Sequence, residues 1–568
     1  MKSLTCIALG IFLYSCNTGT DEKKQNGVLN PETSTKMDTV YVVKNSEITP
    51  ANSYSDLFLD SAIIEQYIVS NSLGTDDQKT FRSFYNYRNG QFAWFTSQGF
   101  TEQAKGFWNL QDKLEPSTDK NLRKKMDTLL NEDTLMISRY DTSILKTELA
   151  ITKAFVTFYK KNRFKTQFAY LPLEQVVPVK KRNVMAMADT LFRTPADTSL
   201  NKLNPEFAAL KNHLLFYYNI AKGGGWAPIV LNKRTLKKGS SSPTIQAIKK
   251  RLQKTNEFVA SDTSAIFSDS MFSAVQAYQL RNGMRPTGLI TDTLIRSLNV
   301  TAEKRLQQML INYNRMQWMP VVSDDNYISV NIPSYLLTVF ESKRKVFDMP
   351  VAVGKEGTST TMFSGNLDQV VFSPYWNIPA SIVRSEIMPK MKKDKNYLKS
   401  RNMEIVGKNG SLPVIRQLPG NQNALGKVKF LFPNRYDIYF HDTNAKEVFS
   451  KEKRAVSHGC IRLRDPEKLA LYLLKSNATW TAEKVRMAMN SGKEEFVKVA
   501  PAIPVVITYY TAWTDENGLL NFRDDLYQND TRVGQMLFDN PMAIDLPATA
   551  DSLLIKKKTG TVDSLKAR

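Results

Sequence analysis

Three residue types are scarce or missing in this 568-residue chain, and each scarcity narrows what it can be. There are three cysteines and no Cys-x-x-Cys pair, which excludes a disulfide-stapled fold and the common structural zinc frameworks. There are also only three histidines, and two of them, His441 and His458, lie close to Cys460 along the chain. No apolar run reaches the roughly 20 residues that span a bilayer as a helix. Gly223, Gly224 and Gly225 have no Lys-Ser/Thr pair after them, so they are a loop and not a phosphate cradle. Glycine and proline are ordinary in number, which leaves no room for a collagen-like or wholly disordered chain.

What is present is a folding composition, 42% hydrophobic and 10% aromatic. Single cores stop growing at about 250–300 residues, so two or three domains are expected. The net charge of +22 favours anionic partners. It is spread along the chain, with only short runs such as Lys390 to Lys395 and no nucleic-acid-binding motif, so no nucleic-acid partner is expected. The N-terminus pairs a basic start, Lys2, with an apolar run from Leu4 to Tyr14 too short to be a span. Its end, Leu13-Tyr14-Ser15-Cys16, resembles a bacterial lipobox, which implies lipidation of Cys16 and a membrane-anchored protein of the periplasm or cell envelope.

Cys6 then leaves with the leader and Cys16 carries lipid, so Cys460 is the one thiol left in an exported protein. A buried structural cysteine is one explanation; the neighbours of Cys460 offer another. The sequence Ser457-His458-Gly459-Cys460-Ile461-Arg462-Leu463 follows Tyr436-Asp437-Ile438-Tyr439-Phe440-His441-Asp442-Thr443 at an interval that suits a strand–loop–strand return. Strand alternation puts Tyr439 and His441 on one face and Tyr436, Ile438 and Phe440 on the core face. An imidazole beside a thiol supplies the deprotonation that a cysteine nucleophile needs. Gly459 permits close backbone approach, and N–H groups near Cys460 can hold an oxyanion. Asp465-Pro466 reads as an N-cap and first turn of a helix through Leu474. His441, His458 and Cys460 also remain possible zinc ligands. His213, in an apolar helical stretch, reads as structural, and Trp318 and Trp376 read first as core.

The His…Ser-His-Gly-Cys-x-Arg segment resembles the L,D-transpeptidase signature. The likeness extends to Val351–Gly354, to Phe372-Ser373-Pro374-Tyr375-Trp376-Asn377-Ile378-Pro379, to Asn423-Ala424-Leu425-Gly426 and to Phe430-Leu431-Phe432-Pro433-Asn434, all similar to the large multidomain branch of that family. The resemblance implies Cys460 as nucleophile and His441 as general base. It implies the Asp442 carbonyl as the orienting group, with Tyr439, Gly459 and the Cys460 amide around an oxyanion. Ser457, His458, Arg462 and Trp376 would shape the site or bind substrate. It implies no metal and no organic cofactor. The partners are peptidoglycan stem peptides and glycan. The reaction joins third residues of two stems through a thioester with release of D-alanine. Hydrolysis (L,D-carboxypeptidase) or attachment of a protein to the wall would use the same acyl-enzyme. A wall-binding structural lipoprotein without catalysis is the reading of another class.

The expected fold class is α+β and multidomain. Residues 1–15 are a lipoprotein leader, 16–50 a disordered tether, 51–240 a helical scaffold and 241–300 a three-helix unit resembling a peptidoglycan-binding domain. Residues 321–540 are the β-rich catalytic domain, with 388–431 a capping insertion, and 541–568 a flexible tail. Within these, Leu57, Ile64 and Ile68 share helical spacing, as do Leu145, Leu149 and Phe155. Tyr327–Val330, Leu336–Phe340, Val346–Val353, Gln369–Phe372 and Val505–Tyr510 read as strands.

Overall fold

The computed structural model describes residues 42–130, 136–138, 140–169, 171–193, 205–230, 235–259, 261–319 and 324–542. The leader, Cys16 and the tail from 543 lie outside the described residues. Among the described residues no helix is long and apolar enough to cross a membrane.

Aromatic residues at helical spacing build the first core. The helix Thr142–Asn162 is capped by Asp141, whose carboxylate accepts from the Ser143 and Ile144 N–H groups. It buries Leu149, Phe155 and Phe158 against Phe84, Trp94 and Phe107. Ile64 and Ile68 are buried in the same core. The tether, expected to run to residue 50, gives way earlier. Ile48 is fully buried, and the Asn45 N–H donates to the Asn86 carbonyl.

The helix Ala302–Met316, starting from the Thr301 cap, is buried on almost every side in this core. Residues far down the chain join it, among them Tyr510, Phe522, Leu537 and Phe538. The boundary along the chain is therefore not the boundary in space, because the tail of the expected 321–540 domain packs into the helical region. The unit after residue 229 has its own core, in which Ile245, Ile248 and Leu252 meet Val275, Tyr278, Leu294 and Leu298. Ser242, Ser268 and Thr291 cap its three helices, Pro243–Lys254, Asp269–Arg281 and Asp292–Leu298.

The β-rich region is one sheet that closes on itself. Its strands are β1 (Tyr327–Asn331), β2 (Leu336–Glu341), β3 (Arg344–Gly354), β4 (Phe363–Phe372), β5 (Val428–Leu431), β6 (Phe440–His441), β7 (Ala455–Ser457), β8 (Ile461–Leu463) and β9 (Glu495–Thr508). The order is β7-β3-β8-β6-β5-β4-β9-β1-β2, and β2 pairs again with β3. Alternate residues such as Val330, Val339, Val351, Phe430, Phe440 and Ile461 fill the interior with none of their surface exposed. The helices Pro466–Leu474 and Ala482–Asn490 cover it with Leu469, Leu473 and Val485. Asp465 does not cap the first of these through its side chain, because Arg464 holds its carboxylate at 2.8 Å.

The insertion overlaps the expected 388–431 but starts and ends earlier. Val428–Leu431 is an interior strand paired with β4 and β6, so it belongs to the sheet and not to a cap. The separate subdomain runs from Trp376 to Gln417. It holds short helices, a π-turn at Val383–Ile387 and the hairpin Met403–Asn409/Leu412–Gln417, closed by the Gln417–Trp376 pairing. Its small core is Ile378, Ile382, Val383, Ile387 and Ile415.

Candidate active site

The site is a consequence of one strand register. β6 and β8 run parallel, with Phe440 beside Ile461 and His441 beside Arg462. One step back, Tyr439 stands beside Cys460, and the Ile461 N–H donates to the Tyr439 carbonyl at 3.1 Å. Side chains alternate along strands. Ile438, Phe440, Ile461 and Leu463 therefore enter the core, while Cys460, Arg462, Tyr439 and His441 are left together on the other face. The Tyr439 and His441 rings are 5.8 Å apart between centroids.

His441 is buried, and its Nδ1 donates to the Asp442 carbonyl. That bond fixes the tautomer and leaves Nε2 as the acceptor. Nε2 has no hydrogen-bond partner among the described residues. Burial pushes the imidazole down to about 3, and the Arg462 guanidinium adds to the effect. Asp442 is itself locked. Its carboxylate accepts from the Lys427 N–H at 2.9 Å and from Lys446 Nζ at 2.5 Å. Gly426 comes so close that a Cβ there would stand 2.4 Å from Asp442 Cγ.

Cys460 keeps an open edge, yet burial pushes its thiol up to about 11, outweighing the hydrogen bonds it receives from Tyr439. The thiol donates to the Asp437 carbonyl at 3.6 Å. Burial, with the sulfur beside it, raises the Tyr439 phenol. Thiol and imidazole are thus both neutral near pH 7.

The loop Ser457–Cys460 is clasped from two sides. Ser457 Oγ donates to the Cys460 carbonyl at 2.5 Å and accepts from the Gly459 N–H at 3.2 Å. The Gly459 amide is therefore committed. The residue contributes its φ of +110°, which side-chain-bearing residues rarely adopt. Thr360 Oγ1 donates to the Gly459 carbonyl at 2.7 Å and Thr358 Oγ1 to the Ser457 carbonyl at 3.1 Å. His458 turns away from the thiol, and its Nε2 meets Glu386 of the inserted subdomain at 2.8 Å. Arg462 is half-buried, with an Nε that has no hydrogen-bond partner among the described residues, and burial lowers its pKa.

The register gathers Cys460, His441, Tyr439, Asp442, Gly459, Ser457 and Arg462. Trp376 stays with the subdomain, half-buried against its core. His213 lies far along the chain, bonded to the Gly518 carbonyl at 2.8 Å. Among the described residues no group of three or more His, Cys, Asp and Glu could hold a metal. Thr358, Thr360, Asp437 and Glu386 were not legible in the sequence, since they reach the loop through distant chain segments or through a carbonyl.

Residues 325–497 match the L,D-transpeptidase catalytic domain, and residues 79–214 match the scaffold domain. A putative L,D-transpeptidase of Haemophilus influenzae is 31% identical over 243 residues, covering 40% of this chain and 49% of that protein. The chain thus spans about half the length of the curated relative it matches. Solved structures of L,D-transpeptidases are also similar. One from Mycobacterium smegmatis has 15% identity over 32% of this chain and 58% of that one, with a TM-score of 0.19. One from Stackebrandtia nassauensis has 14% identity over 43% and 91%, with a TM-score of 0.20. Likenesses that slight carry no weight beside the catalytic-domain match, and it is the segment 325–497 in which this chain is similar to the L,D-transpeptidases.

Proposed function

We propose that the protein cross-links peptidoglycan by joining the third residues of two stem peptides through a thioester on Cys460. The observation that carries this reading is the row Cys460–Tyr439–His441, with His441 Nδ1 bound to the Asp442 carbonyl and Nε2 free. In the first half-reaction the sulfur attacks the carbonyl carbon of the amide before the terminal D-alanine. The thiol proton passes to His441 Nε2, and the oxyanion takes hydrogen bonds from the Cys460 N–H and the Tyr439 hydroxyl. Collapse breaks the C–N bond. The amine leaves as D-alanine with the proton from His441, and the thioester remains. In the second half-reaction the side-chain amine of another stem attacks the thioester. His441 takes a proton from that amine and returns it to the departing sulfur.

The neutral resting pair suits this sequence, because an imidazole without a proton can accept one when substrate displaces water and brings an electrophile. Arg462, with an unpartnered Nε beside the thiol, is the proposed seat of a substrate carboxylate. Contact of Glu386 with His458 makes the subdomain Trp376–Gln417 the proposed cap over the donor stem. The lipobox-like Cys16 supports attachment to a membrane of the cell envelope, where a net charge of +22 suits a carboxylate-rich wall.

Intact-mass measurement with a disaccharide-tetrapeptide tests the reading. A mass adduct on Cys460, free D-alanine and stem dimers are expected. Tripeptide without dimers would replace cross-linking by hydrolysis. No adduct on a thiol that still reacts with a small alkylating agent would leave a wall-binding protein.

A further inference from the structure

The segments that hold Cys460 are themselves held from outside the sheet. The helix Glu102–Leu114, capped by Thr101, belongs to the helical core and buries Phe107, Trp108 and Leu110 there. Its Gly106 lies so close to Trp318 that a Cβ would stand 2.5 Å from the Trp318 Cβ, which fixes the helix against its own core. Asn109 reaches from this helix to the sheet region. Its Nδ2 donates to the Met362 carbonyl at 2.7 Å, and its Oδ1 accepts from the Tyr436 hydroxyl at 3.3 Å. One amide thus spans two strand connections, donating to one and accepting from the other.

Both connections end at the thiol. Met362 is two residues from Thr360, whose hydroxyl donates to the Gly459 carbonyl at 2.7 Å, and Thr358 of the same crossover donates to the Ser457 carbonyl. Tyr436 precedes Asp437, whose carbonyl accepts from the Cys460 thiol at 3.6 Å. Asp437 has a φ of +51°, which a side-chain-bearing residue keeps only where its surroundings hold it. The Asn434 side chain closes that turn, accepting from the Tyr436 and Ile438 N–H groups at 3.0 and 3.2 Å. The Phe363 and Tyr436 rings are 5.3 Å apart between centroids, so the two connections also touch each other. Arg435 adds a second tie to the helical region. Its guanidinium stands between the carboxylates of Asp112, on the same helix as Asn109, and Asp127.

We infer that Asn109 is a positioning residue for Cys460: through its two hydrogen bonds the helical region sets where the Asp437 carbonyl and the Thr358–Thr360 clasp stand around the thiol. The consequence for catalysis rests on the proposed reaction; the placement of the thiol rests on the hydrogen bonds alone. Without the amide, the turn at 434–438 loses its hold from outside and the crossover 355–362 loses its anchor at Met362. The thiol then loses a fixed acceptor for its proton, and its distance to a bound carbonyl carbon is less defined. Attack tolerates little displacement of the reacting atoms. A more reactive thiol and a slower reaction with substrate are therefore expected together. The helical region, in which the sequence carries no chemical motif, thereby acts on the site through one side chain.

The test compares the full chain as wild type, Asn109→Ala, Tyr436→Phe and the double variant. Alkylation of Cys460 by a neutral reagent at pH 8 needs no turnover. It is expected to speed by about threefold or more in Asn109→Ala, because the thiol loses the acceptor of its proton and gains water. Single-turnover acylation by a disaccharide-tetrapeptide is expected to slow by about tenfold or more at saturation, with the half-saturating concentration within about twofold of wild type. Tyr436→Phe should show smaller changes in the same directions. It should add nothing in the Asn109→Ala background, because it removes one arm of the same bridge. Leu149→Ala, which truncates the helical core at another helix, is the control for stability. At an equal or larger drop in melting temperature it should leave both rates of the folded protein unchanged. Equal alkylation rates in wild type and Asn109→Ala would overturn the inference. So would the same changes in Leu149→Ala, or a loss confined to the half-saturating concentration. Absence of an acyl adduct in wild type would refute the proposed reaction, and the alkylation rates would still decide the role of Asn109.

Discussion

Two polar networks in this molecule are built in opposite ways. In the helical core, Arg315 is almost completely buried and fully engaged. It binds Glu102 and Asp530 and donates to the Tyr509 carbonyl at 2.9 Å, while Asn312 bridges to Thr511 at 2.7 Å. At the β6–β8 edge the groups are also buried, yet the network is left open. His441 Nε2 and the Arg462 Nε have no partner among the described residues. Buried polar groups are almost always paired, so the closed network is what stability selects. The open one keeps polar atoms whose hydrogen-bonding capacity is unspent.

Substitutions should break the two networks differently. Cys460→Ala should abolish the acyl adduct and all product while the melting temperature stays put, as read by intact mass and calorimetry. Arg315→Leu should do the opposite. It strands Glu102 and Asp530 in the core and should cost about 3–5 kcal/mol of stability in denaturant unfolding, with the remaining folded protein still acylated. Tyr439→Phe removes a proposed oxyanion donor without removing the ring. Acylation should slow by about 10²–10³ in single-turnover kinetics, with little change in stability. Thr360→Val, the mildest, deletes the hydroxyl bonded to the Gly459 carbonyl. A loss of about 1 kcal/mol, shared between stability and acylation rate, is expected.

The open network was the more legible of the two. Its members fall in two short segments, 436–443 and 457–463, and strand alternation alone places Tyr439 with His441 and sends Ile438 and Phe440 inward. The closed network joins Glu102, Arg315 and Asp530, residues too far apart for any local period to connect. The same limit hid the Thr358 and Thr360 clasp and the return of Phe522 and Leu537 into the helical core. The late end set for the insertion has a different cause. Val428–Leu431 is only four residues long and is preceded by Gly426, so it reads as loop until its pairing with β4 is known. The helical unit after residue 241 was legible because Ile245, Ile248 and Leu252 repeat at a helix period within one short segment.

The most direct test of the open network is the pH dependence of Cys460 alkylation by a neutral reagent, in wild type and in His441→Ala. Burial raises the thiol to about 11 and lowers the imidazole to about 3, so near pH 7 neither group carries charge. The thiolate fraction should then grow about tenfold for each pH unit from 7 towards 10. His441→Ala should leave that curve in place, because the resting thiol does not depend on the imidazole. A wild-type rate already at its plateau by pH 7, and lost in His441→Ala, would contradict the account: it would mean a thiolate–imidazolium pair formed before substrate arrives.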